Sequence, residues 1–169
     1  MASKVAFVKQ EINWFAFFPK ILVIVILCLC FYPLDRYNFF LIAFVIYLLL
    51  TYLARFLFFP KVLHEGIRLI REAKFQEAIP FVQQTIDYYL QRPWIDKYRF
   101  WLLISSSQKT ITESSICNLA YCYLQTGQVK RAKEIYEDVL HQYPDNNNAK
   151  TMLSTINVIS KEAESNNHS

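Results

Sequence analysis

Apolar residues follow two regimes along the chain, with the change at Pro60. Before it they form two continuous runs; after it they recur at helical spacing between polar faces. The longer run, Phe39 to Phe59, reads FFLIAFVIYLLLTYLARFLFF, twenty-one residues with one charge (Arg55) and one hydroxyl outside the tyrosines (Thr51). At about 1.5 Å of rise per residue it covers roughly 30 Å, the thickness of a bilayer's hydrocarbon core. The pattern predicts a transmembrane helix over 39–59.

The earlier run, Ile21 to Tyr32, is wholly apolar but spans only about 18 Å as a helix. Adding Trp14 to Phe18 extends it to 14–32, with Lys20 snorkelling to the headgroups and Pro19 in the first turns. A full crossing is expected, with a re-entrant or interfacial segment as the alternative. Only PLDRYN, Pro33 to Asn38, separates the runs, so residues 14–60 are expected to form an antiparallel hairpin. Asp35 and Arg36 cancel in that loop. Lys4, Lys9 and Lys20 precede the first run against Glu11, and Arg55, Lys61, Arg68, Arg71 and Lys74 close or follow the second. This asymmetry puts both termini, including residues 1–13, in the cytoplasm. No small-residue cleavage site marks a secretory signal. With no acid or histidine inside either run, the hairpin reads as an anchor, not an ion path.

Beyond Pro60 the pattern predicts helices. Thr110-x-x-Glu113 is a capping box that starts one of them. Leu119-Ala120-x2-Tyr123, Gly127, Ala132-x3-Tyr136 and Pro144 then fall at fixed spacings within ICNLAYCYLQTGQVKRAKEIYEDVLHQYP. Residues 112–145 resemble a tetratricopeptide repeat, with Ile116 where that family favours Trp and Ala120 where it favours Gly. The physics agrees: a small residue at 132 for close helix approach, a glycine at the reversal, a proline that stops the second helix. A weaker copy is expected over 61–91. There Gly66 opens the repeat, Lys74-Phe75 make the turn, Pro80 lies near the start of the second helix, and Ala78, Val82, Ile86 and Tyr89 form one stripe. Ala78 and Ala132 are 54 positions apart (132 − 78), about twenty more than one 34-residue repeat, so a segment is inserted.

The insertion, Arg92 to Thr110, predicts a helix over 93–104. Its apolar face is Trp94, Ile95, Tyr98, Trp101 and Leu102, with Asp96, Lys97 and Arg99 off it. Two readings compete: this face completes the core of the repeats, or its tryptophans and cations rest on the membrane surface or a partner. Asn147 to Ile159 predicts a terminal capping helix within 147–160, using Ala149, Met152, Leu153, Ile156 and Ile159. The polar stretch 161–169 is expected to be a disordered tail. The fold class is therefore all-α: a two-helix transmembrane hairpin, then a short helical solenoid over 61–160.

Candidate chemistry changes this picture little. Ser106-x-x-Lys109 matches the SxxK string of serine acyl-enzymes but lacks its companion motifs. His64-Glu65 begins like a zinc-protease box, with Arg68 where the second histidine belongs. Two glycines in 169 residues leave no phosphate-cradling loop, and four cysteines and three histidines lack metal spacing. No metal or cofactor and no enzymatic activity are expected. Cys28 and Cys30 read as small hydrophobes, and Cys117 and Cys122 point to different helix faces, all reduced. A net charge of +4 from scattered basic residues does not suggest nucleic acid.

The family resemblance implies a concave groove lined by the first helix of each repeat, where Cys117, Tyr121, Leu124 and Gln125 would meet a protein partner; contact with neighbouring helices is the competing role. Trp94 and Trp101 are the other candidate contacts. Cys117 and Tyr121 stand where some repeats of this family carry carboxylate-clamping Lys and Asn, so a chaperone-tail clamp is not expected. The expected protein is an adaptor or scaffold held in the bilayer, with its repeats at the cytoplasmic face. The alternative is a structural or assembly subunit of a membrane complex, held through its hairpin. Homo-oligomerisation stays open. The short hairpin resembles small bacterial inner-membrane proteins, with a eukaryotic organelle membrane as the other option.

Overall fold

A computed structural model describes residues 17–33, 36–102, 107 and 109–167. Trp14, the residues 1–13, Asp35 and Ser106 lie outside it. All eight elements among the described residues are α-helices: α1 (Phe17–Phe31), α2 (Phe39–Phe58), α3 (Lys61–Arg71), α4 (Phe75–Leu90), α5 (Pro93–Lys97), α6 (Ile111–Gln125), α7 (Val129–Gln142) and α8 (Asn147–Asn167). They divide into two units: 17–60 with 91–109, and 61–90 with 110–167.

In the first unit α1 packs along α2, and the Tyr32 and Phe39 rings meet edge to face across the loop, 5.5 Å apart. Ala43 is the one buried residue of α2. Many of its other apolar side chains point outward, among them Phe40, Leu41, Phe44, Leu48, Leu49, Tyr52, Phe56 and Leu57, while Ile42, Ile46 and Tyr47 are half-buried. Thr51 Oγ1 donates to the Tyr47 carbonyl at 2.9 Å, so the helix satisfies its own hydroxyl. At 20 residues α2 is long and apolar enough to cross a bilayer, and among the described residues it is the one helix that is. The 15 residues of α1 reach about 22 Å, short of the roughly 30 Å required.

The second unit is a stack of helix pairs with α6 at its centre. One side of α6 puts Leu119, Cys122 and Tyr123 into a core with Leu69 and Ile70 of α3 and Ala78, Val82 and Ile86 of α4. The other side puts Cys117 and Ala120 against Tyr136 and Val139 of α7 and Ala149 and Ile156 of α8. The two cysteines do face different ways, one in each core. Ala78, Ala120 and Ala132 are fully buried where helices approach closely. Gly66 plays the same part inside α3 rather than at its start: a Cβ there would lie 3.3 Å from Val82 Cγ2.

The two helix pairs share their turn chemistry at the 54-residue offset seen between the alanines. Ala73 N–H donates to Ile70 O and Lys74 N–H to Leu69 O; Gly127 N–H donates to Leu124 O and Gln128 N–H to Tyr123 O. Each turn is a Schellman motif whose C′ residue has positive φ, 59° at Ala73 and 80° at Gly127. The first turn thus ends before Phe75, which begins α4. Pro80 falls in the second turn of α4, on its exposed side.

Two boundaries and one burial differ from expectation. The inserted helix ends at Lys97 instead of 104, and turns continue to Leu102. Arg99 Nη1 donates to the Asp96 carbonyl at 2.8 Å, and the aromatic run Tyr98–Trp101 has weak helix preference. The helix α8 continues to Asn167, through a stretch expected to be a tail, because Lys161, Glu162 and Ala163 are good helix formers. Ile159, expected on its packed face, is exposed.

Candidate partner-binding surface

Thr110 opens α6 as the capping box requires: its hydroxyl accepts from Glu113 N–H at 3.0 Å. The Glu113 carboxylate accepts in addition from Asn146 Nδ2 at 2.8 Å. Asn146 is itself buried; its Nδ2 lies 3.3 Å from Cys117 Sγ, and its Oδ1 accepts from Ala149 N–H at 3.0 Å, capping α8. Tyr136 Oη donates to the Cys117 carbonyl at 3.4 Å. This polar cluster fixes α6, α7 and α8 to one another, so the side chains α6 presents are held on a rigid element. The Asn-rich loop PDNNN had no periodic signal to mark Asn146. Its position just before an apolar helical face is the N-cap cue that could have found it.

The four residues expected to line a groove separate on this frame. Cys117 is the correction: it is 2% exposed and belongs to the core between α6, α7 and α8. Its register on α6 turns it toward Asn146 and the Tyr136 helix, not outward. Tyr121 is half-buried, with its ring edge to face with Phe75 at 5.6 Å. Burial holds its hydroxyl above the usual tyrosine range, so it stays a neutral donor and acceptor. Leu124 is half-buried and touches both cores, while Gln125 is exposed. Tyr121, Leu124 and Gln125 therefore form the available edge of α6, backed by Phe75.

Two further side chains contact Tyr123, the neighbour of this edge on the buried side of α6. Gln83 Nε2 donates to Tyr123 Oη at 3.1 Å, and the Arg131 guanidinium lies 4.3 Å from the Tyr123 ring centroid. An open depression of about 260 Å³ lies at the α3–α4 turn, lined by Ala73, Lys74, Phe75, Gln76, Glu77 and Thr126. At its margin Lys74 and Glu72 pair at 2.9 Å; each holds the other charged, though full exposure leaves the pair little energetic weight.

No group of metal-ligating side chains gathers among the described residues. Glu65 of the zinc-like string is an ion-pair partner of Arg68 on the same helix. Burial pushes the Cys122 thiol up to about 12, which removes it as a nucleophile at neutral pH. The other two predicted contacts, Trp94 and Trp101, belong to the first unit, and both are exposed.

With the helix pair, its turn and its buried alanines in place, a comparison with known families is decisive for this segment: the tetratricopeptide repeat model matches residues 118–146. The chain carries a tetratricopeptide repeat. Searches of curated proteins and of solved structures gave no match. Repeats of this family act in protein–protein interaction and are generally non-catalytic.

Proposed function

We propose that the protein is a membrane-anchored tetratricopeptide adaptor that holds a protein partner at the cytoplasmic face. One observation carries the reading. A 20-residue helix, apolar on every side and with one buried residue, runs into the repeat unit after a short break at Pro60. A helix that is apolar all round requires an apolar environment, and this one has almost no protein around it. Lipid supplies that environment. The basic residues Arg55, Lys61, Arg68, Arg71 and Lys74 at its far end favour a cytoplasmic repeat unit, and Lys4, Lys9 and Lys20 favour a cytoplasmic N-terminus. Both follow if the first apolar run, residues 14–32, crosses as well. A bacterial inner membrane suits such a chain.

Within this reading the edge formed by Tyr121, Leu124 and Gln125 meets the partner. Tyrosine buries a large area there while losing little rotamer freedom. Confinement to a layer beside the bilayer raises the effective concentration for membrane partners, so weak contacts suffice. A structural subunit held by its hairpin is the second reading, favoured by the exposed apolar side chains of α1 and α2.

Photo-crosslinkers placed singly at Gln125 and Leu48 of the full-length protein in its native membrane separate the two. Protein adducts from Gln125 support the adaptor. Protein adducts from Leu48 alone, with none from Gln125, support the subunit.

A further inference from the structure

We infer that residues 94–101 form a seat for an anionic lipid surface, lying in the headgroup layer beside the end of α2. The inference rests on the proposal that α2 is embedded in a bilayer.

Depth comes first. Phe58 is the last residue of α2, and its ring meets the Trp94 ring edge to face at 5.6 Å. The last turn of a 20-residue span lies at the membrane–water boundary. The contact therefore holds Trp94 at that level.

The side chains around Trp94 suit this level. The segment formed by α5 and the turns after it has two apolar sides with opposite fates. Ile95 is buried and anchors the segment, whereas Trp94, Tyr98 and Trp101 are 46%, 48% and 58% exposed. Three large aromatic rings open to water on one short segment are unfavourable in an aqueous domain. At an interface they are favoured, because the ring enters the apolar layer while the N–H or O–H stays wet.

Charge selects the lipid. Asp96, the one acid between Arg92 and Trp101, is buried. Lys97 is exposed, and Arg92 and Arg99 are half-buried, so the surface is cationic. Lys97 Nζ lies 5.6 Å from the Tyr98 ring centroid and the Arg99 guanidinium 4.4 Å from that of Phe100. The cations thus spread over the aromatic rings at their own level, where phosphate oxygens of anionic headgroups would meet them. A protein partner would not require the aromatics to be fixed at the depth of the span's last turn, so lipid is the occupant these contacts favour.

Tryptophan fluorescence of the full-length protein in vesicles containing phosphatidylglycerol tests this. Trp14→Phe with Trp101→Phe leaves Trp94 as the reporter, and Trp14→Phe with Trp94→Phe leaves Trp101. A third chain, Leu49→Trp with all three native tryptophans changed to Phe, reports whether α2 is embedded. Trp94 and Trp101 should be protected from aqueous acrylamide and quenched more by a headgroup spin label than by a mid-chain label, with the reverse preference at position 49. Lys97→Gln should weaken surface occupancy roughly fivefold, and exchange of the anionic lipid for a zwitterionic one should weaken it further, because it removes the attraction of every cation in the segment. Acrylamide access at 94 and 101, with position 49 quenched mid-chain, overturns the seat and leaves the anchor standing. Acrylamide access at all three positions overturns both. Protection of Trp94 from acrylamide and from both lipid labels means burial against protein and overturns the seat, and quenching unchanged in zwitterionic vesicles overturns the anionic preference.

Discussion

Exchanging the residues at the two positive-φ turn positions should move stability in opposite directions. Ala73 and Gly127 occupy the same place in the same Schellman turn, at φ 59° and 80°. An L-residue in the left-handed region costs about 1–2 kcal/mol relative to the right-handed one. A Cβ added at Gly127 would meet nothing within 4 Å, so packing adds no further term. Restriction of the unfolded chain returns about 0.4–1 kcal/mol for alanine over glycine. Gly127→Ala should therefore destabilise the repeat unit by roughly 1 kcal/mol, and Ala73→Gly should stabilise it by a similar or slightly smaller amount. For a unit of this size that corresponds to Tm shifts of about 4–8 °C per kcal/mol. Circular-dichroism melts of the full-length protein in detergent micelles would read both. Destabilisation by Ala73→Gly, or no change with Gly127→Ala, would refute the equivalence of the two turns.

Other consequences follow from the buried groups and the span. Asn146→Ala removes the cap on Ala149 N–H and the donor to Glu113, and should cost about 2–3 kcal/mol in the same melts; an unchanged Tm would show the cluster to be dispensable. The Cys122 thiol has its folded value raised from 9.0 to about 12, so the folded state holds the proton more tightly. Stability from this group is complete below pH 9.0 and falls as pH rises toward about 12, with buried Tyr136 shifted the same way, so Tm should decline across that alkaline range. A Tm that is flat there contradicts the burial of both groups. Leu48→Arg places a charge near the middle of α2 at a cost of about 2.5–3.5 kcal/mol, and should move much of the chain from the membrane fraction to the soluble or degraded pool in fractionation.

The repeat was legible where spacing encodes helix contacts. Ala120, Tyr123, Gly127, Ala132, Tyr136 and Pro144 are each placed by a steric demand that acts over a few residues, and α6 and α7 lie where those demands put them. The weaker pair, α3 and α4, was legible through Ala78 and its stripe. Its turn was harder, since Ala73 adopts positive φ without the glycine that usually announces it. Periodicity failed where a local bond competes with it: Arg99 captures the Asp96 carbonyl, so the helix begun at Pro93 gives way to turns at Tyr98. It also could not choose between the two buried sides of α6. That helix is packed on both, and Cys117, for which a groove and contact with neighbouring helices compete, is enclosed by Asn146 and Tyr136. Asn146 lies in a loop-like run, and only the tertiary contact with Glu113 reveals its weight.

Alkaline carbonate extraction of membranes from cells making the full-length protein is the most direct test of the central claim, because alkali weakens the repeat unit while leaving a lipid-embedded α2 in place. Recovery of the chain in the membrane pellet is the predicted result. Release of the chain into the supernatant would contradict it.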